Sequence, residues 1–293
     1  MRQRVLTAMI VTAAWMGLSG SRAAGIESGS CQILDKPLDH LYEVGLSYLT
    51  ESRFEGYGKS GVLELDADWA FGYKDFGDAE MDFNLIFEDI FFLRSADLDL
   101  PDQIGELVLD SGITIRGSSG VAARIRMRPG IYSDFENITA DSFRVPVSWS
   151  VVRTFTPTFS GTAGVEARPG FDLLFRPLVG VAWKISDDLR LEAGLPSSRF
   201  QWAITPDLGT YVGFNWQNTS YALTDSSYEP GDQMTIEDVR LFWGMMYKAS
   251  DILQFRGELG SAFNRSVEFE GDREVDVDVA NALYVKFGIG GPF

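Results

Sequence analysis

The chain has 293 residues, 45% hydrophobic and 23% charged, with a formal charge of −17 and a single cysteine, Cys31. That acidity argues against a nucleic-acid partner, and one thiol excludes an intramolecular disulfide. A mean hydropathy of −0.03 excludes a bundle of apolar membrane helices, each needing about 20 apolar residues in a row; it fits strands whose apolar residues alternate with polar ones.

The chain starts with Arg2 and Arg4, an apolar run from Val5 to Leu18, and small residues at Ser21 and Ala23. This is the three-part form of a secretory signal. We expect cleavage after Ala23, with residues 1–23 a signal peptide, 24–40 a short periplasmic segment and 41–293 the folded domain. Ser28-Gly29-Ser30 before Cys31 lacks the apolar context of a lipoprotein signal.

From there period two dominates. Leu63, Leu65, Ala67, Trp69, Phe71 and Tyr73 alternate with Glu64, Asp66, Asp68, Ala70 and Gly72. After a turn at 74–78, Ala79, Met81, Phe83, Leu85 and Phe87 alternate with Glu80, Asp82, Asn84, Ile86 and Glu88. Val121 to Met127 alternates with Arg124, Arg126 and Arg128, and Phe143 to Val151 with Arg144, Ser148 and Ser150. Further runs are predicted at Phe159–Ala167, Val179–Ile185, Leu189–Leu195, Val239–Tyr247 and Leu253–Phe263. The last run takes Val275, Val277, Val279, Leu283, Val285, Phe287 and Ile289 as one apolar face. Joints near 74–78, 117–119, 156–158, 186–188 and 249–251 are short. Those near 50–60, 94–104, 129–141, 168–175, 222–234 and 264–274 are longer and polar.

Strands of ten or more residues, aromatic residues near their ends (Trp69-Phe71-Tyr73, Phe87-Phe91-Phe92, Trp243-Tyr247) and that asymmetry of joints favour a membrane barrel over a secreted sandwich. The predicted fold is all-β: a transmembrane antiparallel up-and-down barrel of 12–14 strands, 14 if Arg199–Thr205 is a strand of its own. Tyr284, Phe287 and the terminal Phe293 are the candidate assembly signal of the last strand, read by the barrel-assembly machinery.

Arg128-Pro129-Gly130-Ile131-Tyr132-Ser133-Asp134, followed in order by Arg176–Trp183, Leu195-Pro196 and Tyr211–Trp216, resembles an uncharacterised, porin-like family of outer-membrane barrels of planctomycete and verrucomicrobial type. The resemblance spans roughly residues 40–293 and implies fold and location, with no activity attached.

With the apolar set facing lipid, the alternate set faces the lumen. Candidate lumen-lining residues are Glu64, Asp66, Asp68, Glu80, Asp82 and Glu88 on one hairpin, then Arg124, Arg126, Arg128 and Arg144. An acidic wall near a basic wall predicts a transverse field in a passive pore for small polar solutes; charges that instead pair and fill the lumen predict a closed structural or adhesion barrel. An outer-membrane hydrolase is the remote alternative, since His40 is the only imidazole. Asp97, Asp99, Asp102, Asp272, Glu274, Asp276 and Asp278 read as solvated acidic loops, without the spacing of a calcium loop. We expect no enzyme activity, cofactor or metal, and outer-membrane lipid and lipopolysaccharide as the surroundings.

Overall fold

A strand with apolar residues on one face only must be covered on that face and must pair both of its edges. The chain meets both demands by closing a ring. The computed structural model describes residues 40–93, 100–225, 228–229, 231–271 and 275–292. The predicted signal peptide, Cys31, Phe293 and acidic residues Asp97, Asp99, Asp272 and Glu274 lie outside them.

Fourteen staves follow in chain order: β1 (His40–Phe54), β2 (Gly58–Asp75), β3 (Ala79–Phe92), β4 (Gln103–Arg116), β5 (Val121–Met127 with Gly130–Ser133), β6 (Phe143–Arg144 with Val147–Thr156) and β7 (Phe159–Ala167). β8 (Phe175–Lys184), β9 (Leu189–Leu195), β10 (Ser197–Thr205), β11 (Leu208–Ala222), β12 (Gln233–Ser250), β13 (Leu253–Glu270) and β14 (Val275–Val279 with Ala282–Pro292) complete the wall. Each pairs antiparallel with the next, and β14 returns to β1 with Tyr284 opposite Leu49 and Gly290 opposite Glu43. The breaks in β5 and β6 fall at Pro129 and Pro146, where a ladder loses a donor. The strand at Ser197–Thr205 fixes the count at the upper of the two expected values.

The ring has its apolar face outward. Leu283 is 65% and Phe287 68% exposed, whereas Tyr284 between them is 4% exposed. Phe71, Ile113, Trp149, Trp183, Trp202, Leu241, Trp243 and Leu259 continue this band around the wall. It is far larger than the few hundred Å² of contiguous apolar surface a soluble monomer tolerates, and hydrocarbon is the solvent it suits.

The two ends differ. At one lie the tight turns and both termini of the wall; at the other lie the longer connections. The loop end departs from the sequence expectation in several ways, strand Gly130–Ser133 within the loop expected at 129–141 among them. The predicted loop at 50–60 shrinks to Glu55–Tyr57, and strand runs on to Glu270 where a loop was expected from 264. β1 bulges between Leu49 and Ser52, β13 has positive φ at Asn264, and β14 breaks at 280–281. These neighbouring irregularities reverse which residues face inward, so Val277 and Val279 are buried in the lumen while Leu283 and Phe287 face lipid. The expected single face from Val275 to Ile289 is therefore two faces, because the break at 280–281 reverses which side of the strand each residue turns to the lumen.

The wall is also lower on one side. β9 and β10 meet at Pro196, and β11 runs seven residues past its last pair with β10, Asn215 with Ser197. There Ala222 of β11 pairs in parallel with Ser133 of β5. At this level the ring passes through β1–β5 and β11–β14 only, nine staves instead of fourteen.

Leu259, between Trp243 and Val285 in register, tests the outward face. We expect Leu259→Arg to lower stability by about 2–4 kcal/mol in equilibrium unfolding from lipid; a change near zero would mean that this face is wet.

Candidate functional site: the lumen

The inward positions carry charge at the turn end and middle of the barrel. Near the turns, Arg116 of β4 pairs with Glu80 of β3 and reaches Asp75 at 3.8 Å. One layer up, Asp82 of β3 takes Arg124 at 3.1 Å and also pairs with Arg126, both from β5; Arg126 reaches on to Asp110 of β4 at 2.5 Å. On the far wall Arg256 meets Glu43 at 2.8 Å, and Lys286 meets Asp66 at 2.7 Å. Gly45 leaves room for that last pair, since a Cβ there would lie 2.5 Å from Asp66 Oδ2 and 2.7 Å from Lys286 Cε. Tyr211 and Tyr284 both donate to Glu258, at 2.7 and 2.5 Å.

At mid-height Arg240 of β12 donates through both terminal nitrogens to Glu64 of β2, each at 2.6 Å, and to Asp238 at 2.9 Å. A guanidinium matches a carboxylate in this forked geometry, which gives direction as well as energy. The pair joins staves 176 residues apart in sequence. Beside it, Arg128 lies 3.5 Å from Glu106, and Arg176 lies 2.6 Å from Glu166.

Above this layer the lumen turns apolar. Leu49, Phe54, Val62, Ile90, Ile104, Val108, Met234, Val267, Phe269 and Val277 are all buried and face one another inside the nine-stave ring. Phe171, from the connection after β7, adds its ring to them. Arg168 lies 4.2 Å and Arg144 4.8 Å from that ring's centre, and Tyr132 meets it edge-on at 5.0 Å. A cavity of ≈ 50 Å³ separates this plug from the charges, lined by Val62, Ile90 and Tyr221 on one side and Glu64, Glu88, Asp238 and Arg240 on the other. It is large enough for water.

The structure therefore places Glu64, Asp66, Glu80, Asp82, Arg124, Arg126 and Arg128 in inward ion pairs. Asp68 lies opposite Glu43 in register, and Glu88 lines the cavity. Arg144 stands apart, reaching across the loop end to the Ser220 carbonyl and to Gln233 at 3.2 Å. The expected acidic and basic walls are interleaved instead, because β5 stands two staves from β3 and neutralises it locally. Of the candidate assembly residues, Tyr284 faces in and Phe287 faces out. Phe92, expected in an aromatic girdle, packs against the plug.

Sequence reading missed Glu43, Glu106, Asp110, Glu166 and Asp238. Glu106 and Asp110 share their inward face with Ile104 and Val108, and that mixture erases the polar–apolar contrast on which period two depends. Asp276 and Asp278 belong to β14. Among the described residues, Asp172, Glu268 and Glu270 bring carboxylate oxygens within 4.8 Å of one another at the loop end. In the turns, hydrogen bonds from Lys184 and Lys248 hold the carboxyls of Asp187 and Asp251 below their ordinary values.

No family model matches the chain. No curated protein matches it in sequence. Among solved structures it is similar to KdgM porin, at 7% identity over 86% of this chain and 99% of that one, with a TM-score of 0.37. An outer-membrane channel from Pseudomonas putida F1 matches at 10% identity over 91% and 99%, with a TM-score of 0.40. A BenF-like porin from Pseudomonas fluorescens Pf-5 matches at 8% identity over 86% and 99%, with a TM-score of 0.36.

Removing Arg240 leaves Glu64 and Asp238 buried without their cation. We expect Arg240→Ala to cost about 3–5 kcal/mol in urea unfolding, with much of it recovered when Glu64→Gln is added. Equal stability of Arg240→Ala and the parent would show that water already solvates these carboxylates.

Proposed function

We propose that the protein is a porin-like channel of the bacterial outer membrane for small polar solutes, closed at its loop end in this structure. The observation that carries this reading is the density of inward ion pairs along the lumen, from Glu80 with Arg116 to Glu64 with Arg240. Buried ion pairs add little stability over apolar packing of the same volume, so a barrel that only needed a solid core has no use for them. A path for polar solutes does: paired charges replace hydration without trapping an ion of either sign. An even-stranded closed wall with an apolar belt suits outer-membrane lipid, with lipopolysaccharide against the acidic loop end. The Arg128–Asp134 element supports placing the chain with the planctomycete and verrucomicrobial barrels it resembles.

The apolar plug favours a second reading, a closed structural barrel. Single-channel recording of the refolded chain at two salt concentrations separates the two. We expect discrete current steps that grow with salt. A correctly folded barrel, judged by heat-modifiable gel migration, that stays silent under every applied voltage would sink the channel reading and leave the fold standing.

A further inference from the structure

The plug exists because the ring is pinched to nine staves, and the pinch depends on one seam, between the top of β5 and the free upper edge of β11. Among the described residues, every other joint in the ring is an antiparallel ladder of many pairs, interrupted by local bulges and breaks. At the seam there is a single parallel pair, Ser133 with Ala222, and the Asp134 amide donates to the Ala222 carbonyl at 3.2 Å. The remaining contacts come from side chains. Asp134 Oδ2 accepts from the amides of Thr224 and Asp225 at 2.7 and 2.9 Å, and its Oδ1 accepts from the Thr224 hydroxyl. Arg144 caps the Ser220 carbonyl, and Arg168 caps the Asn218 carbonyl at 2.6 Å. Asn137 adds two bonds to Thr224, each at 3.0 Å.

All of these donors and acceptors also suit water, so opening exchanges them for hydration instead of orphaning them. The apolar residues behind the seam form a closed core only while the ring is small, since a wider ring exceeds what side chains alone can fill. The same segment carries the Arg128–Asp134 motif. Gly130 allows β5 to approach β4, because a Cβ there would lie 2.7 Å from the Leu107 carbonyl oxygen; Tyr132 meets Phe171, and Ser133 and Asp134 make the seam itself.

We propose that this seam is the gate: its parting lets the loop end widen from nine staves toward fourteen and opens the lumen to the outside. The proposal rests on the channel reading for its purpose, although the parting itself is measurable without any current. Two measurements in a Cys31→Ser background keep them apart. In the first, Val277→Cys places a thiol in the plug, where Val277 is 2% exposed, and a membrane-impermeant maleimide is added from the loop side. Adding Asp134→Ala removes three hydrogen bonds of the latch, so labelling is expected to quicken by about tenfold or more. Asn137→Ala gives a smaller change in the same direction and serves if Asp134→Ala does not fold. Unchanged labelling in the folded variants overturns the seam, whatever the barrel conducts. In the second, Ser133→Cys with Ala222→Cys joins the register partners through a disulfide. Oxidised barrels are expected to lose current and to regain it on reduction; equal current in both states overturns the gate. Faster labelling in a barrel that never conducts upholds the seam and rejects the channel.

Discussion

Inside hydrocarbon no water is available to an unpaired amide or carbonyl, so a sheet in a bilayer must have no edge. The pairing of β14 with β1 satisfies that condition in this chain, and the rest follows from it. Closure forces each strand to turn one face to lipid and the other to the lumen. Below the plug, apolar side chains are therefore outside and exposed, and most charged ones are inside and paired, the reverse of a soluble domain. The same requirement explains the loop end. Where β11 outruns β10, its open edge is closed by β5 and by two arginines that cap its carbonyls.

Closing one ring with strands of unequal length produces two cross-sections in one barrel. Fourteen staves leave a lumen wide enough for layered ion pairs; nine staves leave one that aliphatic and aromatic side chains fill. The transition lies near the bulges in β1, β13 and β14, where Arg265 holds the irregular backbone together through Ser52 and the Ala280 carbonyl. Above the bulges the inward set of those strands is mainly apolar, and below them it carries the charges of Glu43, Arg256, Glu258 and Lys286. A local reversal of the inward face thus converts a polar conduit into a plug without any inserted domain.

Charge inside the lumen is arranged by neighbourhood. Asp82 finds its arginines two staves away, and Glu166 finds Arg176 on the next one. By contrast, Glu64 with Arg240, and the pairs around Glu43 and Asp66, draw on distant parts of the chain that closure brings together. Local neutralisation weakens any transverse field, because opposite charges a few ångströms apart cancel at the distance of a passing solute.

Period two is a local property, and the sequence by itself determined what is local: strands of membrane length, their outward faces, the turn end with its short joints, and the inward direction of Glu64, Asp66, Asp82, Arg124 and Arg126. It also singled out the segment from Arg128 to Asp134 without saying what that segment does. Partnership was decided by tertiary structure alone, because Glu64 and Arg240 meet only through ring closure and the stagger of the strands between them. The plug escaped sequence reading for a related reason. Val277 reads as a lipid-facing residue, and Phe269 and Ile104 as loop residues, until the folded strands turn them toward the axis, and only the folded ring shows that nine staves, not fourteen, surround them.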